Sequence, residues 1–418
     1  MKRTLIVILI LQVIIGQNYG QVISQWRGQD RNGNYYEQDL LKKWPEKGPD
    51  NLWSIDGIGE GYSSASVTNN MIYISGMKDS LEYLSAIDLK GRIIWQTHFG
   101  IGWMLSYPGS RATPTVENNR VYIISGTGEV VCLDARTGKI IWKVDAYKEF
   151  EGHCTMWGVS ESPLIVGDKI IYTPAGNKTT MVALDKKTGK TIWKSESIKD
   201  STGYVSPLHI DYNGNKIITT ILASHFIGVN SENGNILWKY DYTQLKWNQT
   251  HHYSPIINCI TPYYHDGRIF ITKGYDHKAA MFELSEMGDK VNLIWTDTIL
   301  DVHMGHVVYK DGYLYGANWI NNRDGNWCCL DWNTGETKYE KEWNNKGSII
   351  LADDMLYCYE EKRGNIALVE PTPVDFKIIS SFQIIKGKGP HWAHPVIRNG
   401  VLYVRHGDYL MAYNIKKK

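Results

Sequence analysis

The chain has 418 residues, and its 45 Lys plus Arg against 44 Asp plus Glu leave a formal net charge of +1. No global field therefore draws it to nucleic acid or to an acidic membrane. Hydrophobic residues make up 43% and aromatics 12%, with 16 Trp and 27 Tyr, a composition that excludes an intrinsically disordered chain.

Residues 1–20 read as a secretory leader. Lys2 and Arg3 form a positive start, residues 5–15 are apolar apart from Gln12, and Tyr19-Gly20 before Gln21 makes a small-residue cleavage site. The apolar run is too short for a comfortable membrane span, and no later segment reaches the roughly 18 apolar residues that one needs. No cysteine stands near the cleavage site to carry a lipid anchor. The expected product is exported, periplasmic or extracellular, and soluble. Residues 21–50 carry no repeat; Trp26-Arg27-Gly28 and Trp44-Pro45 stand among polar residues and glycines. An arm lying across the body is expected there. Residues 51–56 then resemble the last strand of a unit whose first three strands are missing.

From residue 63 onward the chain repeats itself. Inner strands are expected to start within 63–68, 112–117, 161–166, 205–210, 260–265, 305–310, 347–352 and 393–398. Each is followed by a short polar turn and an apolar strand, such as Met71-Ile72-Tyr73 or Val401-Leu402-Tyr403. Third strands end in pairs such as Ile87-Asp88, Leu133-Asp134, Leu184-Asp185 and Leu330-Asp331. Fourth strands end in Trp95, Trp142, Trp193, Trp238 and Trp295, with Tyr339 and Ile379 in weaker copies. Residues 120–143 are the clearest copy: Gly138 supplies the positive φ that a short hairpin loop needs, and Asp134 can bond the loop backbone. The last copy stops after its third strand, at 409–414, and residues 51–56 can complete it. The expected fold is all-β, an eight-bladed β-propeller of four-stranded antiparallel blades closed by that N-terminal strand, which removes open sheet edges. The organisation expected is a leader at 1–20, an arm at 21–50 and one propeller over 51–418. Connections from fourth to first strands are the long ones, and all of them fall on one face, the candidate functional surface.

The L-D-x-x-T-G-K-x-x-W units at 133–142 and 184–193 resemble the repeats of the pyrroloquinoline-quinone (PQQ) β-propellers. That superfamily includes quinoprotein alcohol dehydrogenases and the propeller lipoprotein of the outer-membrane β-barrel assembly machine. The resemblance covers essentially the whole chain after the leader. It implies the fold, with the repeated Trp packed between blades, but little about chemistry, because the same repeat serves cofactor-binding and cofactor-free members. For the enzyme members it implies PQQ with a calcium ion held by acidic and amide side chains, an Asp base and aromatic stacking. Some carry a disulfide between adjacent cysteines. Cys328-Cys329 matches that pair in sequence only, since it falls on a third strand where neighbours point to opposite faces; no disulfide is expected between them. Cys132, Cys154, Cys259, Cys328, Cys329 and Cys358 lack the spacing of a disulfide framework, and buried small apolar roles are expected. The calcium ligands and the Asp base cannot be assigned, and no haem-type C-x-x-C-H is present.

Alternation along the inner strands puts one set of side chains toward the central channel. One ring is Ser64, Thr113, Ser162, Ser206, Thr261, His306, Ser348 and His394; two residues earlier lie Tyr62, Arg111, Ser160, Tyr204, Cys259, Met304, Lys346 and Trp392. A hydrated channel lined by small polar groups is the plain interpretation. His303 with His306 and His391 with His394 form aligned H-x-x-H pairs, and His153, His251 and His252 lie on the same face. Clustered imidazoles suit zinc, copper or iron. On an eight-fold ring, however, the two pairs are expected a quarter-turn apart, too wide for one ion without loop help. Arg111 and Lys346 can instead hold an anion, with Trp392 as a stacking surface. The candidate ligand site is therefore Arg111, His303, His306, Lys346, His391, Trp392 and His394 at the channel mouth. The expected role is a non-catalytic binding or scaffold protein without a cofactor, taking a protein partner or small anionic ligand and no nucleic acid. A quinoprotein-like oxidoreductase with PQQ and calcium, and a metal-dependent enzyme using the histidines, stay open as alternatives.

Overall fold

The computed structural model describes residues 23–245 and 257–417. The expected leader, Gln21 of its cleavage site, His251, His252 and Lys418 lie outside the described residues. Eight antiparallel sheets follow one another along the chain, each meandering from an inner to an outer strand. Blade one is Ser66–Val67, Met71–Lys78, Leu81–Asp88 and Ile93–Ile101, and blade two is Thr115–Glu117, Arg120–Ile124, Glu129–Asp134 and Ile140–Asp145. Among the described residues the hydrophobic core is not one mass but eight clusters, each shared by two consecutive blades, with a ninth, smaller one of Ile257, Tyr275 and Trp319. One of them joins Ile72, Ile74 and Ile87 of blade one to Tyr403, Leu410 and Ala412 of blade eight, so the packing closes on itself. The fold is the expected eight-bladed propeller.

Closure is made by the N-terminal strand. Asp50–Ile55 pairs antiparallel with Tyr409–Asn414 and becomes the outer strand of blade eight. Its Trp53 behaves like the tryptophan of any other copy: the indole N–H donates to Leu89 O of the next blade at 2.9 Å. Trp95, Trp142, Trp193 and Trp295 reach the next blade's turn in the same way, at 3.2, 3.2, 3.0 and 3.2 Å. Each ring lies against the turn glycine it reaches. A Cβ on Gly91, Gly138, Gly189, Gly234 or Gly335 would sit within 2.5–2.9 Å of the facing Trp ring. The T-G of the repeat is thus an indole-sized notch as well as a left-handed turn residue. Trp238 departs from the pattern: its ring folds over Gly228 of its own blade, and its N–H has no partner among the described residues. The preceding Asp holds the turn itself, as Asp134 Oδ1 does by accepting from Arg136 N, Thr137 N and Thr137 Oγ1.

All eight outer strands carry a register shift against the third strand, as between Ile140 and Trp142. A bulge at this place twists the outer edge and disfavours pairing with another chain. Cys328 and Cys329 are neighbours on Trp327–Asp331 but belong to different inter-blade clusters, one on each side of blade six. Helix among the described residues is limited to Ala146–Glu149 and a 3-10 turn at Tyr242–Leu245. None is long and apolar enough to cross a membrane.

Candidate functional site

Most inner strands begin two or three residues later than the repeat suggests, for example at Ser66 and Leu164. The residues before them bond between blades instead of within them. Ser64 N–H donates to Thr113 Oγ1 at 2.9 Å, Thr113 N–H to Ser162 Oγ at 3.0 Å, and Ser162 N–H to Ser206 Oγ at 3.0 Å. Thr261 N–H donates to His306 Nε2 at 3.2 Å, so an imidazole takes the hydroxyl's place. Ser64 Oγ donates to His394 O at 2.9 Å and links blade one back to blade eight. The polar ring read from the sequence is therefore a hydrogen-bonded belt that satisfies buried backbone N–H groups.

The channel beneath the belt is closed by the arm, which inserts rather than only lying across the body. Ser24 bridges Val116 of blade two, and Asn34–Tyr35 adds a parallel fifth strand to the inner edge of blade seven. Between these anchors Trp26 meets His306 and His394, with ring centroids at 4.8 and 5.9 Å. Arg27 donates to Ile349 O (3.0 Å), Val307 O (2.7 Å), Asn32 O (3.0 Å) and His394 Nδ1 (3.0 Å). Arg31 reaches Pro163 O and Ser162 O at 2.9 and 2.8 Å. Burial pulls Arg27 down to about 10 and Arg31 to about 9, the latter opposed by Glu161. Further along the arm, Glu37 caps Asn399 N and Gly400 N, both at 3.0 Å, and Trp44 packs on Tyr357 and Phe382. The Glu37 contact lies at a turn opposite the long loops.

Above Trp26 a cavity of about 400 Å³ opens on the long-loop face. Its walls are largely rings: Trp392 lies against Tyr62 and Tyr107 at 5.1 and 4.9 Å, and Tyr107 against Trp157 at 5.7 Å. Arg111, His303, His306, Trp392 and His394 line this cavity, whereas Lys346 and His391 do not. Lys346 is buried against Glu361 at 3.0 Å and bonds Asn321 O at 2.9 Å. His391 stacks on His406 with ring centroids 3.6 Å apart and lies 2.5 Å from the Tyr359 hydroxyl. His153 is exposed and lies outside the lining. The two histidine pairs belong to blades six and eight, a quarter-turn apart as expected, but the expectation that the gap is too wide is corrected: the rings of His306 and His394 touch, with centroids 4.8 Å apart. The intervening ring position is Ser348, whose short side chain leaves both imidazoles room to meet.

Proximity does not make these histidines metal ligands. His306 Nε2 accepts from Thr261 N, so Nδ1 carries the proton and donates to Met304 O at 3.0 Å. His394 Nδ1 accepts from Arg27, so Nε2 donates to Met304 O at 3.3 Å. All four nitrogens are spent, and burial together with the Arg27 charge pushes both groups well below the usual imidazole range. His303 is pushed down to about 3 by burial and by Lys346, and its Nε2 lies 2.7 Å from the Tyr275 hydroxyl. Among the described residues no group of three or more His, Cys, Asp or Glu is gathered to hold a metal ion. Arg111 donates to Trp157 O, Ser106 O and Tyr107 O, which makes it a strut under the mouth loops. Burial pushes the Cys259 thiol up to about 12, so it is no nucleophile there.

PQQ and calcium, which the resemblance implies for the enzyme members, would meet the same lining. Rings for stacking are present. The described lining holds one carboxylate, Glu361, already paired with Lys346, and one amide, Asn322. Calcium takes about six to eight oxygens, several of them from carboxylates. No Asp stands among the described lining residues to act as base. The described donors do not form a calcium–quinone site.

A family model described as outer membrane protein assembly factor BamB matches residues 80–338. The quinoprotein alcohol dehydrogenase PedH of Pseudomonas putida is 28% identical over 181 residues, 41% of this chain and 29% of that protein. The chain thus spans less than a third of PedH's length. Among solved structures, BamB from Moraxella catarrhalis superposes with a TM-score of 0.62 at 16% identity, over 88% of this chain and 99% of that one. The quinohemoprotein alcohol dehydrogenase ADHIIG from Pseudomonas putida HK5 gives 0.63 at 12% identity, over 96% and 81%. At these identities the structural likeness is one of fold.

Proposed function

The chain belongs to the family described as outer membrane protein assembly factor BamB, and from that membership we propose a non-catalytic binding or scaffold protein whose occupant sits at the long-loop mouth. One observation carries the reading: the mouth is a blind, ring-walled cup in which His306, His394 and Arg111 are bonded to other protein groups. Such a cup holds an apolar or aromatic group well and offers it no reacting partner. Its rim is apolar too, since Leu105 is 82% exposed and Met156 62%. The rim favours a side chain of a protein partner over a free small anion, because Arg111 already gives three hydrogen bonds to loop carbonyls. The charged-then-apolar pattern of residues 1–20 supports export, which an N-terminal mass beginning at Gln21 in the mature protein would test.

A photo-crosslinking residue at Leu105 tests the partner reading directly. A discrete adduct is expected, weakened by Trp392→Ala and absent when the probe stands at Lys187 on the opposite face. Adducts confined to the opposite face would overturn it. A stoichiometric quinone chromophore in the purified protein would replace it with the oxidoreductase reading.

A further inference from the structure

His406 ends the strand Val401–His406 and is buried. Its Nδ1 lies 2.7 Å from Lys386 O, and its Nε2 lies 2.8 Å from Gly389 O. Both partners are carbonyl oxygens, which only accept, and a neutral imidazole has one N–H to give. Making both bonds together takes a proton on each ring nitrogen. The loop is moulded to the ring: Gly387 has φ +95°, and a Cβ there would stand 2.7 Å from His406 Nδ1. The same loop runs directly into His391 and Trp392. His391 stacks on the His406 ring at 3.6 Å, and its backbone N–H donates to Glu361 O at 2.9 Å. Trp392 is the wall of the mouth cavity.

We propose that His406 is a proton-operated latch on that wall. With both nitrogens protonated it clasps the 386–389 loop at two carbonyls and holds Trp392 in place. When one proton passes to solvent, one carbonyl loses its donor and the loop is released. The effect on binding rests on the mouth being the functional site; the latch itself does not.

The groups around the ring are mixed in charge. His391 faces it directly, backed by Tyr359, and stays neutral because burial and the His406 charge push it down to about 3. Lys386 and Lys388 belong to the clasped loop, with exposed side chains. Across Gly407 stand Glu60, whose Oε2 would be 2.9 Å from a Cβ there, and Asp408, which accepts from Gly57 N at 3.0 Å. Arg405 donates to Gly407 O at 3.0 Å and is otherwise spent on carbonyls and Ser63. Glu361 faces Lys346 instead.

The test uses the full chain without ligand, so its failure is separable from failure of the mouth reading. Side-chain ¹⁵N NMR of His406 should show both nitrogens protonated in the folded protein at mildly acidic pH. Loss of one proton should coincide with about a tenfold rise in hydrogen exchange at residues 386–392, corrected for intrinsic rates, the size of one lost charge-assisted hydrogen bond. In H406Q the corrected exchange of these amides should not change with pH. A bare ring nitrogen at every pH where the protein is folded would overturn the latch, and so would unchanged pH dependence in H406Q. The wild-type spectrum decides the matter even if that variant does not fold.

Discussion

A single glycine shows how the repeat couples local geometry to packing. Gly138 has φ +71°, and a Cβ there would lie 2.6 Å from the Trp95 ring. Gly167 has φ +61° and nothing within 4 Å. Gly138→Ala should therefore cost about 2–4 kcal/mol, against about 1 kcal/mol for Gly167→Ala, as read by urea unfolding. The motif announced a turn glycine; that the glycine is also a seat for the neighbouring indole follows only from three-dimensional contact. Glu161 is a second residue-scale case. Burial pushes its carboxyl up to about 8, with Thr173 and Arg31 pulling the other way, and Oε1 has no partner among the described residues. The folded protein then holds a proton that the unfolded chain gives up in the ordinary carboxylate range. Stability should fall as pH rises from there through about 8, by at most about 1.4 kcal/mol per pH unit. Glu161→Gln should flatten that slope in denaturation curves taken across the range.

At the scale of elements, the belt and the arm do what the strands alone cannot. Thr113→Val removes the acceptor of a buried N–H while keeping the side-chain shape. A loss of about 1–3 kcal/mol is expected in thermal or chemical unfolding. Alternation of side chains made the belt positions legible in the sequence, because six hydroxyls and two histidines recur at one register. Their role was not legible, since hydrogen bonds from one blade to the next leave no mark on the period of either. The arm itself was expected, but its insertion into the channel was hidden for a different reason. Trp26, Arg27 and Arg31 belong to no repeat, and most acceptors of the two arginines are backbone carbonyls, which any sequence possesses. Arg27→Ala should be strongly destabilising, by about 3–5 kcal/mol, as buried acceptors lose a charged donor together.

For the whole molecule, the blade count and the closing strand were readable because a defective eighth copy and an orphan fourth strand are complementary. The mouth was only partly readable. Arg111, His303, His306, Trp392 and His394 do converge on one cavity, but Lys346 and His391 turn into the protein toward Glu361 and His406. Alternation fixes the side of a strand on which a residue lies, and says nothing of how far a long side chain bends to find a partner. Deleting residues 21–56 should lower the thermal midpoint of the entire ring and broaden its transition, because blade eight loses its outer strand and the channel its plug. An unchanged melt would speak against closure by that strand. The same pairing sets an order of events during synthesis. Asp50–Ile55 leaves the ribosome before any of the blades, and its partner Tyr409–Asn414 only after seven blades and two strands of the eighth. Throughout elongation and any passage across a membrane, the first strand has an open ladder of N–H and C=O groups and no native mate. The ring cannot shut until the eighth blade has been made, so until then the nascent chain is an arc with two sticky ends, the state in which a chaperone or a neighbouring arc would find it.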